Sequence, residues 1–168
     1  MSLELKIPPP IVAVAIGVLM WLIARLTPAF AIAIPASRVL AGAIVALGVL
    51  ISIAGVRSFR KARTTLNPLS PKSATSLVDS GIYRFTRNPM YNGVLVVLIG
   101  EAWLFRSQSL WKYAALIFVM FHVMVTAYEE PTLESEFGES FRIYKRAVPR
   151  WGFARRPFTP SPSFVERT

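Results

Sequence analysis

The chain has no cysteine, and His122 is its single histidine. The absence of cysteine excludes disulfides, thiolate metal sites and a cysteine nucleophile. One histidine argues against a metal centre built from imidazole ligands, so we expect no bound metal. Acidic residues are also scarce, at nine against 19 basic ones, and the net charge is +10. None of the acids lies at the middle of a long apolar run, which argues against proton-coupled transport.

Apolar sequence is what the chain has in abundance. Hydrophobic residues make up 54% of its 168 positions, and the mean hydropathy is +0.49, too apolar for an ordinary soluble domain. Four runs contain most of these residues: Ile11–Leu26, Val39–Val56, Met90–Phe105 and Leu110–Tyr128. Each approaches the ~20 residues with which a helix crosses a bilayer. The sequence therefore predicts an all-α, polytopic integral membrane protein with about four transmembrane helices.

The basic residues are concentrated between the second and third runs and after the fourth. Seven of them lie from Arg57 to Arg87, where Asp79 is the one acid, and seven more follow the fourth run. By the positive-inside rule, the middle loop and both termini face the cytoplasm. Attraction to anionic membrane lipid accounts for the surplus charge, so we expect no nucleic-acid partner.

The region after the fourth run has a different pattern. Apolar residues recur there at helical spacing: Leu133, Phe137, Phe141, Tyr144 and Val148. We predict an amphipathic helix on the cytoplasmic membrane surface, interrupted at Gly138. Residues 155–168 contain three prolines and are predicted to be a disordered tail, which leaves residues 1–154 as one membrane domain.

The third and fourth runs form a hairpin that brings charged residues together. Pro89 is a favoured first helical residue and Asn88 a good N-cap, and we expect the fourth helix to end at Glu129 and Glu130. Because the hairpin returns to one interface, Arg87 should meet this acidic pair. Carboxylates at a helix C-terminus need such a cation. The alternative to a functional site is an ion-pair cluster that fixes the topology.

Three of the polar residues within the third and fourth apolar runs are ionisable. His122 lies seven residues before Glu129 on the same helical face, and it is either a buried imidazole bonded between helices or a base or cofactor contact. Glu101 and Lys112 are expected to pair near the opposite interface, without a chemical role.

Glycines 42, 48 and 55 in the second run predict a face on which this helix packs closely against another helix.

Two segments of the chain match known motifs. They read GIYRFTRNPMYNG, from Gly81, and EEPTLESEFGESFRIYKRAVP, from Glu129. In order and spacing they resemble the isoprenylcysteine carboxyl methyltransferases, a family of membrane enzymes whose wider group includes phospholipid N-methyltransferases. Asn88 replaces a histidine of the eukaryotic branch, as in similar bacterial members. Val125 replaces a substrate-contacting arginine of the prenylcysteine enzymes, which argues against prenylcysteine as the substrate.

The resemblance implies that residues 75–150 bind S-adenosylmethionine in a pocket open to the cytoplasm of a bacterial inner membrane. The cofactor-binding positions that it implies are Thr75, Ser76, Leu77, Val78, Tyr83, Asn88, Pro89, Met90, Tyr91 and Glu129. Arg87, Glu130 and His122 are the catalytic candidates. We expect Tyr83 and Asn88 to flank the pocket rather than to pack in the core.

The predicted activity is methyl transfer to a lipophilic small molecule that enters from the bilayer. A carboxylate acceptor needs no general base, whereas an amine or a thiol needs one. One alternative is a sterol-reductase-like NADPH-dependent membrane oxidoreductase, whose C-terminal segments have a similar motif. Another is a membrane scaffold or transporter without enzymatic activity.

Overall fold

The structure, a computed structural model, describes residues 38–62, 76–105 and 108–160 and the helical residues 15, 18, 19, 21, 22, 25 and 26. Much of the first apolar run, Thr75 and residues 161–168 therefore lie outside the described residues. Within the described part of the chain the secondary structure is helical, with no strand. The predicted all-α class is confirmed there, whereas the number of transmembrane helices stays a prediction.

Two helical stretches are long and apolar enough to cross a membrane. They are α1, Arg38–Lys61, and the continuous stretch Ser109–Ala147. The shorter helix α2, Pro89–Leu104, and a 3-10 helix, Gly81–Arg84, lie between them in the chain. Only 17% and 22% of the apolar windows of the two long stretches are buried, so most of these apolar side chains face outward. A soluble protein rarely exposes so much contiguous apolar surface, whereas a membrane helix does.

Helices α1 and α2 approach each other at glycines. A Cβ atom at Gly48 would lie 2.6 Å from the Gly93 carbonyl oxygen, and one at Gly55 would lie 2.7 Å from the Met90 side chain. Small residues let helix backbones come this close in lipid. The predicted packing face is therefore confirmed at Gly48 and Gly55. It is wrong at Gly42, where a Cβ would meet nothing within 4 Å.

Helix α3, Gln108–Met124, packs antiparallel on α2. The ring of Tyr91 at the start of α2 lies 4.6 Å from the ring of Phe121 near the end of α3. The buried core of this hairpin is apolar and consists of Tyr91, Val94, Leu98, Ala102, Leu110, Ala114, Phe121 and Val125. As predicted, the hairpin brings the end of α3 beside the start of α2.

The helix does not end at the acidic pair, so that prediction is wrong. A π-helical turn, Val125–Glu129, joins α3 directly to α4, Glu130–Ala147, and the Glu130 N–H donates to the Val125 carbonyl. Pro131 has no N–H, and its ring crowds the carbonyl one turn earlier, which favours a widened turn. Glu129 and Glu130 therefore do not lie at a helix C-terminus, and the unfavourable interaction of a carboxylate with the helix dipole at such an end does not apply to them.

Helix α4 is kinked at Gly138, as predicted, where φ is 51°. Beyond the kink, Phe141 and Tyr144 pack with Phe158 in a second core cluster. The Phe158 N–H donates to the Arg84 carbonyl at 2.8 Å, and Arg84 Nε donates to the Phe158 carbonyl at 2.6 Å. The prediction of a disordered tail is therefore wrong for residues 155–160, because these contacts hold them.

Candidate active site

Glu130 lies at the centre of a charge network. Arg87 Nη1 donates to Glu130 Oε1 at 2.7 Å. Arg150 forms a two-point contact, from Nε to Oε1 at 2.6 Å and from Nη2 to Oε2 at 2.7 Å. Lys145 Nζ is 3.9 Å from Oε2. Three cations thus surround one carboxylate whose side chain is only 7% exposed, so Glu130 is held as an anion and positive charge is in excess around it.

The two arginines of this network differ in exposure. The Arg87 side chain is 10% exposed, and burial lowers the pKa of its guanidinium, although the Glu130 carboxylate opposes the shift. The Arg150 side chain is 28% exposed, and its hydrogen bonds to Glu130 raise its pKa. Both groups nevertheless remain cations at physiological pH. Without Glu130, Arg87 would be a buried cation with no counter-charge.

Glu129 has a separate partner. The Tyr91 hydroxyl donates to Glu129 Oε1 at 2.5 Å, while Oε2 makes no hydrogen bond within residues 38–62, 76–105 and 108–160. Because neighbouring helical residues point about 100° apart, the two glutamates serve different partners. Of the two, Glu129 is the carboxylate with an oxygen left for a ligand.

The segment 148–152, which directly follows α4, packs over the start of α2. The Asn88 amide forms no cap hydrogen bond and instead donates to the Arg150 carbonyl at 3.1 Å. The Asn92 amide donates to the Gly152 carbonyl at 3.2 Å. Sequence reasoning missed Arg150 and Asn92. The only sequence signal for Arg150 is a basic residue immediately after the Val-Pro end of the second motif.

Tyr83 and Asn88 are buried, so the expectation that neither packs in the core is wrong. They are 6% and 9% exposed. The 3-10 turn directs the Tyr83 ring edge-on against the Phe59 ring of α1, at 5.3 Å between centroids. Burial also raises the pKa of the Tyr83 phenol. The Tyr144 hydroxyl donates to the Tyr83 carbonyl at 2.8 Å, which fixes this turn to α4.

His122 lies apart from the glutamates. Its imidazole is exposed, and Nδ1 accepts a hydrogen bond from Trp151 Nε1 at 3.1 Å. The buried imidazole weighed as one alternative is therefore not observed. Within the described part of the chain it forms no ion pair with Glu129 or Glu130. In the neutral ring, acceptance at Nδ1 leaves the proton on Nε2. Its catalytic role stays a prediction.

The remaining predicted cofactor positions contact other parts of the fold. Leu77 packs against the second core cluster, and Val78 is buried. Pro89 and Met90 face α1 near Gly55. The Ser76 hydroxyl lies 3.4 Å from the Ala62 carbonyl. For these positions, and for Thr75 outside the described residues, cofactor binding stays a prediction.

Glu101 and Lys112 do not pair, contrary to expectation. No ion pair joins them, although both lie within the described residues, and Glu101 Oε2 is a buried atom without a hydrogen-bond partner there. Lys112 is exposed on the first turns of α3. Among the described residues, these two side chains therefore form no ion pair between α2 and α3.

Comparison with known proteins identifies one domain. The sequence model of a family described as phospholipid methyltransferase matches residues 36–140. This range includes the whole α2–α3 hairpin, Arg87 and both glutamates, and it ends before Lys145 and Arg150. Searches of curated proteins and of solved structures found no match.

Proposed function

Because the chain belongs to the phospholipid methyltransferase family, we propose that this membrane methyltransferase uses S-adenosylmethionine to methylate a lipophilic small molecule from the bilayer. The observation that carries the proposal is the position of Glu129. It lies inside the matched range and is held by Tyr91, and its second oxygen has no hydrogen bond to any residue that the structure describes. It also adjoins the excess positive charge around Glu130.

The residues present fit the chemistry of this cofactor. S-adenosylmethionine carries an ammonium, a carboxylate and a sulfonium, so its site needs charges of both signs and apolar walls. Glu129 Oε2 suits the ammonium or the ribose hydroxyls, and the cations around Glu130 favour the carboxylate. Tyr91, which is buried beside Phe121 in the hairpin core, supplies the hydroxyl that holds Glu129. When bound, the cofactor supplies an electrophilic methyl group.

The protein's own contribution is orientation, exclusion of water and, for some acceptors, proton removal. Glu130 is engaged by three cations, so it is a poor base and acts in positioning Arg87. His122 accepts its hydrogen bond from Trp151 through Nδ1. Glu129 is therefore our candidate base for an amine or a thiol acceptor, whereas a carboxylate acceptor needs none.

The proposal also includes the cellular location of the site and the type of reaction. We place it at the cytoplasmic face of a bacterial inner membrane, on the basis of the loop charges and the motif variant. An isoprenylcysteine-methyltransferase-like reaction on a non-prenyl acceptor is the finer form that we favour. The oxidoreductase and the scaffold or transporter readings gain no support from the family match.

Isothermal titration of the detergent-purified protein with S-adenosylmethionine and its demethylated product tests the proposal. Glu129→Gln keeps an acceptor for Tyr91 but removes the charge, so we expect roughly 10- to 100-fold weaker binding, the equivalent of one charge-assisted hydrogen bond. Glu136→Gln removes a charge from an exposed position of the same helix and is the matched control.

Equal affinities of the two variants would contradict the role of Glu129. If the wild-type protein binds neither compound, the cofactor assignment is wrong. A parallel titration with NADPH tests the oxidoreductase alternative directly.

A further inference from the structure

A second cavity lies away from the glutamate pair. It is a groove of about 800 Å³ between α1, α2 and the residues Val18 and Trp21. Its walls are formed mainly by valines and an isoleucine at helical spacing: Val45, Val49, Ile53, Val56, Val94 and Val97. Neither glutamate of the candidate site lines it, nor does Arg87. The groove has the volume and the apolar lining of a small-molecule site.

The groove is cationic at one end. Arg57 and Arg60 line it there, both are exposed, and neither forms an ion pair within the described residues. They lie in the last turns of α1, where the helix dipole interacts favourably with cations. An anionic group at this end would be the counter-charge that the arginines lack among the described residues.

The apolar part of the groove has the length of one lipid leaflet. The helical rise from Val45 to Arg57 is about 18 Å, slightly more than half of the ~30 Å hydrocarbon thickness of a bilayer. Beyond Val97 the lining has one carboxylate, Glu101, whose Oε2 has no partner in the described part of the chain, and then the ring of Phe105. The polarity therefore matches an acidic headgroup at one end and a single hydrocarbon chain that stops before Glu101.

We propose that this groove binds one acyl chain of an anionic phospholipid, with its phosphate on Arg57 and Arg60. Gly55, two residues before Arg57, contacts Met90 at the start of α2. The headgroup and the candidate active site therefore lie at the same end of the helix pair. The proposal does not depend on methyl transfer, because it concerns a separate cavity.

Lipid titration of the full chain in lipid-free detergent, followed by native mass spectrometry, tests the proposal. The probes are phosphatidylglycerol and phosphatidylcholine with identical acyl chains, and no S-adenosylmethionine is added. We expect the wild-type protein to prefer phosphatidylglycerol. Arg57→Gln with Arg60→Gln should weaken phosphatidylglycerol binding about tenfold or more. Phosphatidylcholine binding should fall less, because the choline cation already offsets the charge of its phosphate.

Two further variants test whether binding depends on these two arginines rather than on charge in general, and whether the acyl chain occupies the groove. Arg155→Gln with Arg156→Gln removes the same charge from exposed positions outside the groove and should not change binding. Val49→Trp fills the groove at a position already 44% exposed, so the protein should fold but bind both lipids more weakly.

Equal binding of the two lipids by the wild-type protein would overturn the proposal. So would an equal loss in the Arg155/Arg156 variant, which would indicate non-specific charge attraction. A change of oligomeric state in the groove variants, seen by size-exclusion chromatography, would assign the groove to a protein contact instead. Because binding is measured without cofactor, none of these results depends on the proposed function.

Discussion

Replacement of Glu130 by Gln tests the charge network at its centre. The variant keeps the shape of the side chain but removes the negative charge between Arg87 and Arg150. The Arg87 and Glu130 side chains are only 10% and 7% exposed, so solvent cannot replace the lost partner. Loss of one partner from a buried ion pair lowers the free energy of unfolding by about 3–5 kcal/mol. In a domain of this size, that corresponds to a decrease in Tm of roughly 6–20 °C.

Glu134→Gln is the matched control for this measurement. Glu134 also contacts two cations, Arg142 at 2.8 Å and Lys145 at 3.1 Å. Their side chains are 53% and 38% exposed, so water screens these pairs and the expected change in Tm is small. The comparison therefore isolates the effect of burial, because the same charge is removed from the same helix.

Thermal unfolding in detergent, followed by tryptophan fluorescence, provides the measurement. In the double variant Glu130→Gln with Arg150→Gln, part of the lost stability should return, because one unpaired cation is removed as well. If Glu130→Gln lowers Tm no more than Glu134→Gln does, the network does not hold the fold together. The division of roles between the two glutamates would then be refuted.

Three further predictions concern the parts of the fold around the site. Tyr144→Phe removes only the hydroxyl that donates to the Tyr83 carbonyl, so the free energy of unfolding should fall by about 0.5–1.5 kcal/mol, measured as a decrease in Tm. An unchanged Tm would show that this hydrogen bond does not stabilise the fold. Phe158→Ala should cost about 3 kcal/mol, because the ring is buried in the second core cluster, and a wild-type Tm would show that residues 155–160 do not pack there. A reporter enzyme fused at the C-terminus should be active only on the cytoplasmic side, and activity on the opposite side would overturn the predicted topology.

Local signals predicted several elements correctly. The start of α2 followed from Pro89, because the fixed φ of proline suits the first turn of a helix. The kink in α4 followed from Gly138, because glycine can adopt a positive φ. The contact of Arg87 with Glu130 followed from hairpin geometry alone, since two antiparallel helices must return to one level. These features depend on short stretches of sequence or on helix length.

The errors arose where distant residues decide the local structure. The fourth helix was predicted to end at Glu129 and Glu130, but it continues past them because the turn before Pro131 widens to accommodate the proline. Arg150 follows the last helix in a segment without periodicity, and its position directly after the second motif does not by itself indicate a contact with Glu130. Tyr83 was expected to flank the cofactor pocket without packing in the core, yet the 3-10 turn directs its ring against Phe59 of α1. Such long-range packing cannot be inferred from hydropathy patterns.

The π turn explains how two adjacent glutamates can have different roles. In a regular α-helix the Glu130 N–H would bond to the carbonyl of residue 126, but here it bonds to Val125, one residue earlier. The extra residue in the turn rotates α4 by about 100° relative to α3. Phe121 and Val125 can therefore stay in the α2–α3 core while Glu130 reaches Arg87. Widened turns of this kind occur often at functional sites. Here the turn directs the Glu130 carboxylate to the cations, while Glu129 bonds to Tyr91 and its second oxygen has no hydrogen bond among the described residues.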